Sequence, residues 1–173
     1  WSTSIVIALL LGAASDSHAI FVNGDFETQN VNGWTKKFGM NPGLSGSPPF
    51  QVSDVRINSG GIEKVTVVDG KFDPRAPHLI LPRQGNYSVK VNDEDNGAHL
   101  NEINQKGTIA ESDRDPADGK LHVRFSYAAV LEDPAHAPTS QPYFFVELKD
   151  LTKNETLYYD FAFANQSGRV FFT

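Results

Sequence analysis

An all-β chain folded as an antiparallel sandwich is predicted by three observations. Short runs such as Asn86–Asn92 (NYSVKVN) and Thr156–Ala164 (TLYYDFAFA) alternate apolar and polar residues with the period of two that gives a strand one buried face. Clusters of Gly, Pro, Asn and Asp separate these runs, as turns require. No stretch carries a convincing helical periodicity, and the twelve Phe favour extended structure. About nine or ten short strands follow. With no internal repeat and no low-complexity linker, residues 20–173 read as one domain.

Composition limits what the chain can do. The 173 residues suffice for a domain with a real core, and a mean hydropathy of −0.35 is that of a globular chain. There are no cysteines, which excludes disulfides, a thiolate nucleophile and zinc–thiolate sites. Lys and Arg number 15 against 21 Asp and Glu, a net charge of −6 without a basic cluster. Nucleic acid is therefore not expected as a partner, since its binding depends on neutralising phosphates.

Taken in order, Ser4–Ala14 (SIVIALLLGAA) is an apolar run of signal-peptide length, too short for a typical membrane span. Ser17-His18-Ala19 fits a small-x-small cleavage site. Residues 1–19 are thus read as a signal peptide and the mature chain as starting at Ile20, secreted or at the cell surface, with no membrane span after cleavage. The run lacks a preceding Met, Lys or Arg, and an incomplete front to the sequence is expected. Ile20–Trp34 opens with a short apolar strand, turns at Asn23-Gly24 and offers Phe26 and Trp34 as core anchors. Residues 35–49, rich in Gly and Pro, read as a long loop. Phe50–Ile57 alternates weakly. Glu63–Val68 reads as a strand, His78–Leu81 as a short edge strand before Pro82, and Asn86–Asn92 as a strand with Tyr87, Val89 and Val91 inward.

Asn92–Asn96 is an acidic turn without the register of an EF-hand. Residues 98–110 form another strand on Leu100, Ile103 and Ile109, and Ser112–Gly119 a polar loop. Leu121–Tyr127 and Phe144–Leu148 read as two strands joined by a loop stiffened by Pro134, Pro138 and Pro142. Leu157, Tyr159, Phe161 and Phe163 share one face of the next strand, and Arg169–Thr173 begins one more.

Asp133 and His136, three apart in the stiff loop, are the residues that most resemble a catalytic pair. No G-x-S-x-G or other nucleophile accompanies them, and the five His show no zinc spacing. The favoured reading is structural, with the Asp133 carboxylate on backbone N–H groups of the turn; a hydrolase using the pair is the weaker alternative. Asn86-Tyr87-Ser88, Asn154-Glu155-Thr156 and Asn165-Gln166-Ser167 match the N-glycosylation sequon, a pattern common by chance.

Three segments carry a family resemblance. Asn23–Glu27 with Gly33-Trp34 resembles an opening N-G-D/S-F-E followed by G-W. Gln84–Val89 resembles a G-x-Y-S-x-R/K strand, and Tyr127–Phe144 a Y-A-x-V-L-x-D-P-x-H-x-x-x-x-Q-P-x-F signature of large secreted bacterial proteins. Together they resemble galactose-binding-like jelly rolls, the fold of many carbohydrate-binding modules, over nearly all of the mature chain. The resemblance implies a two-sheet jelly-roll sandwich whose last strands lie beyond Thr173. It also implies a structural calcium near the first strand. Asp25 and Glu27 would supply part of the six to eight or so oxygens that this ion takes; the alternative is two surface carboxylates flanking a buried Phe26. The expected partner is a carbohydrate or cell-surface polymer. Sugars stack their C–H faces on exposed aromatic rings, and Tyr143, Phe145 and Tyr158 are the candidate platforms, with Trp34 assigned to the core. The expectation is a non-catalytic binding or adhesion module; a purely structural sandwich domain is the alternative.

Overall fold

The computed structural model describes residues 20–69, 72–73, 76–95 and 97–168. The signal-peptide segment and the expected strand at Arg169–Thr173 lie outside the described residues. Among the described residues the chain is β-rich, with strands β1 (Thr35–Met40), β2 (Val65–Val68), β3 (Phe72–Asp73), β4 (Ala76–Ile80), β5 (Ser88–Val91), β6 (His99–Asn104), β7 (Tyr143–Asp150) and β8 (Glu155–Phe163). Helical structure is limited to three single 3-10 turns, at Val52–Asp54, Glu111–Asp113 and Pro138–Ser140. The strands form antiparallel pairs, β1 with β6, β2 with β5, β3 with β4 and β7 with β8. All-β is therefore the class observed.

The opening segment is not a strand. Asn23, Phe26 and Gln29 all take left-handed backbone angles, with φ of 51°, 59° and 60°, so the chain coils through turns. Asn23 organises the coil. Its side-chain amide donates to the carbonyl of Asn30 at 2.7 Å, and its own carbonyl accepts the Trp34 indole N–H at 3.2 Å. Gln105 sutures the coil to the end of β6, accepting from Val22 N at 2.7 Å and donating to Gly33 O at 2.6 Å. Phe26 is buried, with its ring 5.4 Å from that of Trp34.

The first strand instead occupies Thr35–Met40, inside the expected loop. Its Lys-Lys pair and Gly39 hide the alternation, because most of its side chains are exposed. It is held by the ladder to β6, where Leu100 and Ile103 are buried. Gly39 also meets Gly61 across a close backbone approach: a Cβ on Gly61 would stand 2.1 Å from the Gly39 carbonyl carbon. No side chain fits there.

A buried polar network joins β5, β6 and the lead into β2. Asn101 Oδ1 accepts Lys64 N–H at 2.8 Å, and its amide donates to Ile62 O and Asn92 Oδ1 at 3.3 Å. Asn92 in turn donates to His99 O at 3.1 Å. Both Asn side chains are thereby satisfied, as burial demands. The acidic turn after Asn92 is tied back by Lys64, whose ammonium lies 2.6 Å from Asp93 and 3.0 Å from Asp95.

The principal core draws Phe26, Leu44 and Phe50 from loops together with Val65, Val89, Val91, Leu100, Ile103, Tyr143, Phe145, Phe161 and Phe163 from strands. A second cluster lies on the other face of the β7–β8 hairpin, where Phe144, Val146, Ala162 and Ala164 meet Leu131, with Phe125, Tyr127 and Ala129 packed beside them. The segment Leu121–Val130 supplies this cover without forming the expected strand: its backbone is irregular apart from a bridge position at Phe125. Phe125, Tyr127 and Ala129 pack on the hairpin, while Leu121 at the head of the alternating run is 37% exposed.

Candidate binding face

Both faces of β7 are buried over its first half, Tyr143–Val146, and this decides where its aromatic residues go. Tyr143 and Phe145 are 0% and 7% exposed within the principal core, with Tyr143 stacked on Phe161 at 5.5 Å. Burial pushes the Tyr143 hydroxyl's pKa well above the usual phenol value. The expectation that these two rings are open platforms is corrected: neither presents a face to a ligand. Their side of the strand is covered because it packs in one core with Phe26, Leu44 and Phe50 from loops and with residues of β2, β5 and β6. Tyr159, on that side of β8, donates to Phe50 O at 2.9 Å, and burial, helped by Asp54, Glu147 and Asp160, pushes its pKa up to about 12.

Tyr158 points the other way and is 39% exposed. The register sets Leu148, Val146 and Phe144 against Tyr158, Asp160 and Ala162, so these six share the face that carries the second cluster. Phe125 and Tyr127 reach this face from the covering segment. The Phe125 ring lies 5.4 Å from Tyr158, edge to face, and 6.0 Å from Tyr127. Tyr127 hydroxyl stands 2.7 Å from that of Tyr158 and donates a short hydrogen bond to Asp160 Oδ2. Burial and then the Asp160 hydrogen bond raise the Tyr127 pKa far above the phenol range, so the hydroxyl stays protonated. Three rings therefore surround a polar relay that ends in the half-buried Asp160 carboxylate. Asp160 and Tyr127 were absent from the sequence-derived candidates, although the alternation of β8 places Asp160 beside Tyr158.

Asp25 and Glu27 do not lie on a common strand face, because Phe26 between them is left-handed. Asp25 is exposed, and its Oδ1 accepts Glu27 N–H at 3.3 Å. Glu27 reaches across to another of the quoted motifs: its carboxylate accepts from Asn86 N at 2.6 Å, Asn86 Nδ2 at 3.1 Å and Tyr87 N at 3.1 Å. These bonds, the Asn86 backbone N–H first, hold its pKa below the usual 4.5. Gly85, at φ 77°, makes room, since a Cβ there would lie 2.3 Å from Glu27 Oε1. The groups converging on Glu27 are three N–H donors from the chain itself.

Asp133 caps its turn as the structural reading expects, with Oδ1 accepting from Ala135 N at 2.8 Å. The buried Gln141 closes the loop, donating to the same oxygen at 2.7 Å and to His136 O at 3.0 Å. Asp133, His136 and Gln141 of the quoted signature thus meet in one self-tied crossover, which docks on the chain through Leu44 N to Thr139 O at 2.8 Å. Elsewhere, Asp115, Asp118 and His122 bring their ligand atoms within 4.8 Å of one another at the surface. Among the described residues no helix is long and apolar enough to cross a membrane. No family model, curated protein or solved structure matches the chain.

Proposed function

We propose that this chain is a non-catalytic module, secreted or displayed at the cell surface, that binds carbohydrate through the face formed by Phe125, Tyr127, Tyr158 and Asp160. The observation that carries the reading is the exposed ring of Tyr158 beside the Asp160 carboxylate. A pyranose needs an apolar ring to stack on and polar groups at its rim to hold hydroxyls, and this face offers both within one strand pair. The likeness of the quoted segments to carbohydrate-binding jelly rolls supports the same reading and the two-sheet arrangement proposed with it. The engagement of Asp133 by Ala135 and Gln141 supports treating that loop as scaffold.

The test is a polysaccharide pull-down followed by calorimetry. Tyr158→Ala should lose about tenfold in affinity, roughly the 1.4 kcal/mol that an aromatic stacking partner supplies, with a cooperative melting transition retained. If the purified protein retains no glycan from a broad panel, the face has no such role and a purely structural module remains.

A further inference from the structure

We infer that Asn32 is a site of spontaneous covalent modification, where the side-chain amide is converted to aspartate and isoaspartate through a cyclic imide formed with Gly33. The chemistry needs an Asn followed by a residue whose backbone nitrogen reaches the side-chain carbonyl carbon. Gly obstructs that approach least, because it has no Cβ. The chain holds three Asn-Gly pairs, Asn23-Gly24, Asn32-Gly33 and Asn96-Gly97, and Asn96 lies outside the described residues. The fold treats the other two pairs oppositely. Asn23 is held at both ends of its side chain: the amide donates to Asn30 O at 2.7 Å and Asn32 O at 3.3 Å, and Oδ1 accepts the Thr28 hydroxyl at 2.6 Å. Gly24 beside it is buried. Asn32 and Gly33 are both exposed, and Asn32 is held through its backbone, whose N–H donates to Asn30 Oδ1 at 2.9 Å. Among the described residues no group hydrogen-bonds the Asn32 side chain.

The reaction needs no co-reactant but water. The Gly33 nitrogen gives up its proton and bonds to Asn32 Cγ, and the side-chain nitrogen leaves as ammonia. Water then adds to one carbonyl of the imide and breaks its C–N bond. One opening leaves aspartate; the other leaves isoaspartate, with the main chain rerouted through the side-chain methylene. The fold also keeps the glycine in place. Gly33 has φ 88°, and a Cβ there would lie 2.9 Å from Gln105 Nε2 and 3.1 Å from Val22 Cβ. The added backbone carbon of isoaspartate falls where the opening coil is sutured, beside the 2.6 Å bond from Gln105 to Gly33 O and the 3.0 Å bond from Trp34 N to Val31 O. Conversion at Asn32 therefore loosens the seat of Trp34 against Phe26.

The experiment ages the purified full chain in mildly alkaline buffer and digests it. Each Asn-Gly peptide is scored by mass for the change from amide to acid, and by carboxyl methylation for isoaspartate. In the folded chain Asn32 should convert at least about tenfold faster than Asn23, whose hydrogen bonds must open first. In urea the two rates should converge, since the difference belongs to the fold. The aged wild type should melt below the fresh protein, and Asn32→Ser aged alongside should lose less. Conversion of Asn23 as fast as Asn32 in the folded chain, or an Asn32 that converts in urea and not when folded, overturns the site. A chain converted at Asn32 that melts like the fresh protein overturns the loosening of the coil.

Discussion

Glu27 is a single carboxylate on which two distant parts of the chain depend. Three N–H groups from Asn86 and Tyr87 converge on it, and they lower its pKa below 4.5. A depressed carboxylate pKa contributes stability above the unfolded value, and that contribution is lost as the pH falls through the folded value. Glu27→Gln is therefore expected to melt several degrees below the wild type at neutral pH, with the gap closing as the pH is taken below 4.5. Melting curves across that acid range check it; a gap of constant size would mean that ionisation plays no part. The sequence places Glu27 at an opening strand, and only the family resemblance implies an ion as its partner, with a surface carboxylate as the alternative. Its actual partners lie 59 and 60 residues away, beyond the reach of any local pattern. Asp160 differs, since its place beside Tyr158 follows from strand alternation.

At the scale of elements, the strands with a buried face were the legible ones. β2, β5, β6, β7 and β8 all fall within or beside runs read as strands with an apolar face, while β4 was read only as a short edge strand before Pro82. β1 was hidden because an exposed edge strand has no apolar face to advertise. Leu121–Val130 misled in the opposite sense, as an alternating segment that packs without a ladder. β8 itself changes character along its length: Leu157 is 57% exposed, whereas Phe161 lies in the core. Phe161→Ala should cost about 3–5 kcal/mol and Leu157→Ala within about 0.5 kcal/mol of nothing, as measured by urea denaturation. Comparable losses at both positions would mean that the outer half of β8 is covered in solution.

For the molecule as a whole, the β7–β8 hairpin is the shared wall between two apolar clusters. Phe144 and Phe145, adjacent in sequence, serve one cluster each. A wall common to both sides makes their unfolding a single event. With Trp1 replaced by Phe so that Trp34 reports alone on the principal core, its emission and the far-ultraviolet strand signal should give coincident transitions. Phe144→Ala, on the second cluster, should lower the Trp34 transition as well; an unmoved Trp34 transition would show that the second cluster melts by itself. The architecture above the level of strand pairs was legible only as far as its class, because how the pairs meet is set by contacts such as Tyr159 to Phe50, separated by 109 residues.

The pairing of β1 with β6 also dictates a timetable. A ribosome releases Thr35–Met40 long before His99–Asn104, and until the latter emerge the early strand lacks its ladder and has the Met40–Asn58 bridge to lean on. The opening coil waits as well, for Asn86 to reach Glu27 and for Gln105 to reach Val22. Throughout that interval Phe26, Trp34 and Phe50 travel without their cover, and closure of such distant contacts is slow and prone to aggregation. The last hairpin needs no such wait, since β7 and β8 are neighbours in the chain. The nascent polypeptide therefore carries these apolar side chains uncovered until the later strands emerge.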